Sequence, residues 1–171
     1  FYGCSCLKQV IIPSSVTIIG DNSFNKCNSL DQITIPSTVK IIGENAFPNS
    51  LKQITFEYPS SLNIIKKSAF NNCSLLSEIS LPSKLVRLEP LAFKLCTSLT
   101  HIKIPSLITK IETSLLAGCS SLVSVIIPET VTSIGDNAFG GCCSLLQIKI
   151  PELVCSIGNY AFQGCTALQN F

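Results

Sequence analysis

The 171-residue sequence predicts an α/β solenoid, one domain built of short coils stacked side by side. Two observations carry that prediction. Proline recurs at Pro13, Pro36, Pro59, Pro82, Pro105, Pro128 and Pro151, always 23 residues apart. Around each proline the same apolar columns return. In the copy that opens at Leu122 they are Leu122, Val125, Ile127, Val131, Ile134 and Phe139. The phenylalanine column runs through Phe1, Phe24, Phe47, Phe70, Phe93, Phe139 and Phe162 and is broken only by Leu116. A 23-residue unit is too short to bury its own apolar face, so adjacent coils must supply the missing surface and hydrogen bonds.

Each element of a coil follows in order. In Gln32-Ile33-Thr34-Ile35 the side chains alternate, which puts Ile33 and Ile35 on one face and Gln32 and Thr34 on the other, as a half-buried strand requires. Such strands should stack in parallel into a concave sheet. The proline closes the strand because it has no N–H to give to the ladder. The V-x-x-I segment, such as Val131 to Ile134, predicts a second short strand on another side of the coil. Gly20, Gly43, Gly135 and Gly158 then permit a sharp corner, although Lys66, Glu89 and Glu112 at the same position show that positive φ is not demanded there. The D/E-N-A-F stretches, Asp136 to Phe139 for example, read as single helical turns capped by Asp or Asn. One repeat slips. Only four steps separate Phe47 from Leu51, where the other copies take six, and two extra residues, Glu57 and Tyr58, follow Phe56. The changes cancel, so Leu51, Ile54 and Phe56 align with the strand and Glu57 takes the usual proline slot.

The pattern L-x-x-I-x-I resembles the leucine-rich repeat, and the longer I-P-x-x-V-x-x-I-G-x-x-A-F-x-x-C-x-S-L resembles its BspA-type branch, surface proteins of bacteria and mucosal protist parasites. The resemblance covers the whole chain. It implies a right-handed horseshoe with a parallel concave sheet, and a non-enzymatic role in adherence to host cells and to matrix proteins such as fibronectin and fibrinogen. It also implies the cell surface or the extracellular space, while the many free thiols suit reducing surroundings and leave the cytoplasm open. The chain lacks Met and opens and closes in mid-repeat, so residues 1–171, about seven repeats, read as a piece of a longer array with caps and anchor outside it.

Composition excludes several classes. A net charge of +2 spread thinly is no footprint for nucleic acid, and apolar runs of three to five residues are far short of a membrane span. Of ten cysteines, Cys4, Cys27, Cys73, Cys96, Cys119, Cys142 and Cys165 form one column. Stacked coils would hold those Cβ vectors nearly parallel, which disfavours disulfides, so the column reads as small buried thiols filling a core layer beside Phe24, Phe47, Phe70, Phe93, Phe139 and Phe162. Cys6, Cys143 and Cys155 fall outside the column and should be exposed or reactive, with Cys143 beside Cys142 the place for a disulfide or for oxidation. There is no C-x-x-C pair and His101 is the only histidine, so no metal site is indicated. No catalytic or cofactor motif is present.

Function is therefore sought on the concave face, where a solenoid presents one side chain per coil in aligned rows. One row reads Gln9, Gln32, Gln53, Glu78, His101, Ser124, Gln147 and Asn170, and the next Ile11, Thr34, Thr55, Ser80, Lys103, Ile126 and Lys149. Val123, Ile126 and Leu146 add an apolar patch toward the end, which favours a protein contact. The candidate binding residues are Gln32, Thr34, Gln53, Thr55, Glu78, Ser80, His101, Lys103, Ser124, Ile126, Gln147 and Lys149, for a protein ligand. The competing expectation is a structural spacer of a surface coat, self-associating through exposed ends or edges.

Overall fold

The computed structural model describes residues 1–169, and its coils start at Leu7, Leu30, Leu51, Leu76, Leu99, Leu122 and Leu145. Among the described residues the strands are β1 (Ile18–Ile19), β2 (Gln32–Ile35), β3 (Ile41–Ile42), β4 (Gln53–Phe56), β5 (Ile64–Ile65), β6 (Arg87–Leu88), β7 (His101–Lys103), β8 (Lys110–Ile111), β9 (Ser124–Ile126), β10 (Ser133–Ile134) and β11 (Ser156–Ile157). Every pairing is parallel. The V-x-x-I segments do form the second short strands, and these make the longer sheets, β1-β3-β5-β6 and β8-β10-β11. The face expected to be one sheet is instead two pairs, β2-β4 and β7-β9, extended by the isolated bridges Glu78↔His101 and Ser124↔Gln147.

The core lies between these sheets and the turn side. Leu30, Leu51, Leu76, Leu99, Leu122 and Leu145 are fully buried, as are Val39, Leu62, Leu85 and Val131 one strand later. Phe24, Phe47, Phe70, Phe93 and Phe139 are buried and Phe162 is half-buried, all in the predicted column. Their rings stack from coil to coil, Phe47 on Phe70 at 4.7 Å and Phe139 on Phe162 at 5.2 Å between centroids. Leu116 fills the gap with an aliphatic side chain that is also fully buried.

The D/E-N-A-F stretches are not helical turns, and the fold is a β-solenoid rather than α/β. A left-handed residue recurs in each of them: φ is 57° at Asn22, 48° at Asn45, 56° at Ser68, 64° at Leu91, 52° at Ser114, 54° at Asn137 and 57° at Tyr160. A single αL residue ends a right-handed helix. Alternate N–H groups on this side are then turned toward the next coil, as in Phe24 N–H to Ala46 O (2.8 Å) and Phe70 N–H to Ala92 O (2.8 Å). The acids capping these stretches serve the neighbouring coil instead. Asp21 Oδ1 accepts the Glu44 N–H at 2.8 Å and Asp136 Oδ1 the Asn159 N–H at 2.6 Å. The Lys66 ammonium and the Glu44 amide together hold the Asp21 carboxyl below the ordinary range, the amide being the larger cause.

Glycine at the corner answers to crowding rather than to torsion. None of Gly20, Gly43, Gly135 and Gly158 has positive φ. A Cβ on Gly43 would sit 2.5 Å from Asp21 N and Gly20 C, and one on Gly135 2.7 Å from Thr113 N, because adjacent backbones touch there. A Cβ on Gly20 would meet only Ser23 Oγ at 3.5 Å.

Candidate functional site: the strand face

The slipped repeat was aligned correctly by the sequence. Gln32 pairs with Gln53 and Thr34 with Thr55, and beyond the slip His101 pairs with Ser124 and Lys103 with Ile126. Ile33, Ile54, Ile79, Ile102, Val125 and Ile148 point inward, each no more than 8% exposed. The alternate positions point out: Gln32, Thr34, Gln53, Thr55, Glu78, Ser80, His101, Lys103, Ile126, Gln147 and Lys149 are exposed and Ser124 is half-buried. Asn170 falls outside the described residues. Ile126 is 59% and Leu146 48% exposed, and Val123 beside them is half-buried, so the apolar patch is present. Lys149 is tied down by Glu129 Oε1 at 2.6 Å, and that hydrogen bond raises its pKa. Glu78 and Lys103 stand in no ion pair among the described residues.

Shallow cavities open along this face, between Ser80 and Lys103 among other places. One of about 200 Å³ lies among Gln9, Gln32 and Gln53. A second, about 260 Å³, lies between β4 and Glu78, Ile79 and Ser80. A third, about 270 Å³, continues from it past Phe56 and Ser80 to Tyr58, Pro59 and Lys84. Sequence reasoning missed these last two. Only the last had a signal in the sequence, the slip: Glu57 and Tyr58 restore the register only by leaving the path of the coil, and Tyr58 ends 97% exposed.

The cysteine column is chemically quiet. Cys27, Cys73, Cys96, Cys119 and Cys142 are buried and Cys165 half-buried, whereas Cys4 is exposed despite its place in the column. Each buried thiol donates to a backbone carbonyl one coil back: Cys96 Sγ to Phe70 O at 3.2 Å, Cys119 to Phe93 O at 3.2 Å, Cys142 to Leu116 O at 3.3 Å and Cys165 to Phe139 O at 3.1 Å. The same carbonyls accept the N–H three residues on, as Phe70 O does from Cys73, so the thiol fills a second lone pair. In the slipped coil, Cys73 donates to Pro48 O at 3.4 Å and Ser50 Oγ to Leu30 O at 2.8 Å. Burial pushes the Cys73 thiol up to about 12 and raises those of Cys96, Cys119 and Cys142 well above 9.0. A protonated, hydrogen-bonded thiol is neither nucleophile nor metal ligand. Cys6, Cys143 and Cys155 are exposed, as expected, and Cys143 forms no disulfide with Cys142. No group of three or more metal-ligating side chains gathers among the described residues, and none of their helices is long and apolar enough to cross a membrane.

This geometry has known counterparts. A solved T. pallidum leucine-rich-repeat protein superposes with a TM-score of 0.85 at 32% identity, over 90% of this chain and 72% of that one. A leucine-rich cell-surface protein of Faecalibacterium prausnitzii matches at 37% identity and a TM-score of 0.79, over 90% of this chain but 42% of its own length. A leucine-rich-repeat protein of Eubacterium ventriosum, 24% identical with a TM-score of 0.60 over 84% of this chain and 45% of that one, shares the fold. The curated proteins contain no match. The profile of the BspA-type leucine-rich-repeat region fits six copies, over residues 1–123 and 87–171, and the chain belongs to that family.

Proposed function

We propose that the chain is a non-enzymatic protein-binding module of a cell-surface adhesin, attaching through its strand face to host cells or extracellular-matrix proteins. One observation carries the reading. Over a buried core, the face offers two rows of outward side chains in fixed register, mostly amides and hydroxyls, with Glu78, His101 and Lys103 as its central charged and titratable group and Ile126 and Leu146 as an apolar neighbour. Such a mixed, patch-bearing surface suits a protein partner. The surface location draws on the F. prausnitzii relative, which is described as a cell-surface protein. In the test, the protein and its Glu78→Ala/His101→Ala/Lys103→Ala variant are passed over immobilised fibronectin, fibrinogen and host cells at physiological salt. Saturable binding weakened at least tenfold in an equally stable variant is expected. Equal binding by both would move the site off this face. The alternative is a structural spacer of a surface coat that self-associates through its strand edges. Concentration-dependent association in sedimentation, without matrix binding, is its signature.

A further inference from the structure

We propose that the crevice between the third and fourth coils binds an extended polypeptide segment by main-chain pairing, with Tyr58 as an aromatic flank. The inference rests on the protein-binding reading above and gives it a place and a mode.

The strand face is unzipped at this point. β4 pairs with β2 through all four residues, and Glu78 bridges to His101, yet no bridge or main-chain hydrogen bond joins Gln53–Phe56 to the facing residues 77–81. Elsewhere around the same two coils the stack is closed: β5 pairs with β6, and Phe70 N–H reaches Ala92 O at 2.8 Å. The coils therefore part on one face only. By the alternation of a strand, the N–H groups of Ile54 and Phe56 point toward the fourth coil, since those of Gln53 and Glu57 are already given to Asp31 O and Ile35 O at 3.0 Å each. The N–H groups of Glu78 and Ser80 point back at the third. Main-chain polar groups inside a sheet are otherwise paired. These four, with the carbonyls between them, line about 260 Å³ of open space.

A row of alternating main-chain donors and acceptors is matched best by another backbone, which is how an extended segment adds to a sheet. Side chains set the direction. Glu78 stands in no ion pair at the end where the strands begin, and Lys84 stands in none at the other end, where the cavity of about 270 Å³ carries on under Tyr58 and its one carboxylate, Glu57, already accepts the Ser37 N–H at 3.1 Å. A segment running parallel to the strands, cationic at its start and anionic at its end, satisfies both. Tyr58, 97% exposed on the insertion that breaks the repeat, presents a ring to its last residues. Insertions in repeat proteins map to loops on one face, often the binding face.

Amide hydrogen exchange on the protein, followed by NMR, tests this with a defined probe. In the free protein the amides of Ile54, Phe56, Glu78 and Ser80 should exchange at least 100-fold faster than those of Gln53 and Glu57. The acetylated, amidated peptide KTVTVE, added to a few millimolar, should slow those four at least tenfold and leave Gln53 and Glu57 unchanged. The same peptide N-methylated at alternate bonds should do nothing, and Tyr58→Ala and Lys84→Ala should each weaken the effect severalfold. Equal protection of all six amides in the free protein, no slowing by the peptide, or equal slowing by its N-methylated form would overturn the proposal. The peptide is scored alone, so failure on matrix proteins would refute the adhesin reading without touching this one.

Discussion

Alkaline pH should unfold this protein through its thiols. Cys73, Cys96, Cys119 and Cys142 are fully buried, and burial holds their folded-state pKa above 9.0, at about 12 for Cys73. The folded state thus keeps protons that the unfolded chain releases. The stabilisation is complete below pH 9 and is lost as pH climbs toward the folded values. At pH 10 an unfolded thiol of ordinary pKa gains about 1.4 kcal/mol by ionising while its buried counterpart gains almost nothing, so four such thiols remove about 6 kcal/mol. A domain of ordinary stability has about 5–15 kcal/mol in all. Urea unfolding under reductant at pH 8, 9 and 10 measures the loss. The Cys96→Ala variant, weaker at pH 8 by about 1–2 kcal/mol for the removed sulfur and its cavity, should lose about a quarter less between pH 8 and 10. Stability that is flat from pH 8 to 10, or an unchanged pH dependence in the variant, would refute the argument that burial keeps these groups neutral.

Two backbone predictions follow. Gly43→Ala should destabilise by about 2 kcal/mol or more, because its new methyl meets backbone that cannot yield, whereas Gly20→Ala, where the nearest neighbour is Ser23 Oγ at 3.5 Å, should stay within about 0.5 kcal/mol; thermal melts of the pair decide it. Tyr160→Asn should raise Tm by about 2 °C, since Tyr160 is 71% exposed at φ 57° and asparagine fills that left-handed position at Asn22, Asn45 and Asn137; a lower Tm would mean the ring contributes more than its torsion costs.

The period made most of this legible. Registering Gln32 with Gln53 across a shortened turn needed only the recurrence of Leu, Ile and Pro, because burial of every second side chain forbids a slip by one residue. The thiol column was read from the same recurrence, though not the carbonyl each Cys reaches, since sequence does not say which lone pairs stay open. The turn side misled for a related reason. In D-N-A-F the Asp reads as a helix cap and the Ala as a helix former, while the Asn that adopts αL marks the opposite, and only contact with the next coil decides between them. The candidate site was legible as rows. Its opening between β4 and Ser80 was not, because a missing hydrogen bond between coils has no residue type of its own.

The hydrogen bonds between coils run in two directions. On the turn side the earlier coil donates to the later, as in Phe24 N–H to Ala46 O, while at the corner and in the thiol column the later donates to the earlier, as in Gly43 N–H to Ile19 O and Cys96 Sγ to Phe70 O. An α-helix aligns its peptide dipoles and so gathers partial charge at its two tips. Here opposed bonds partly offset one another, so a lengthening stack gathers less partial charge at its ends than the same bonds all pointing one way would.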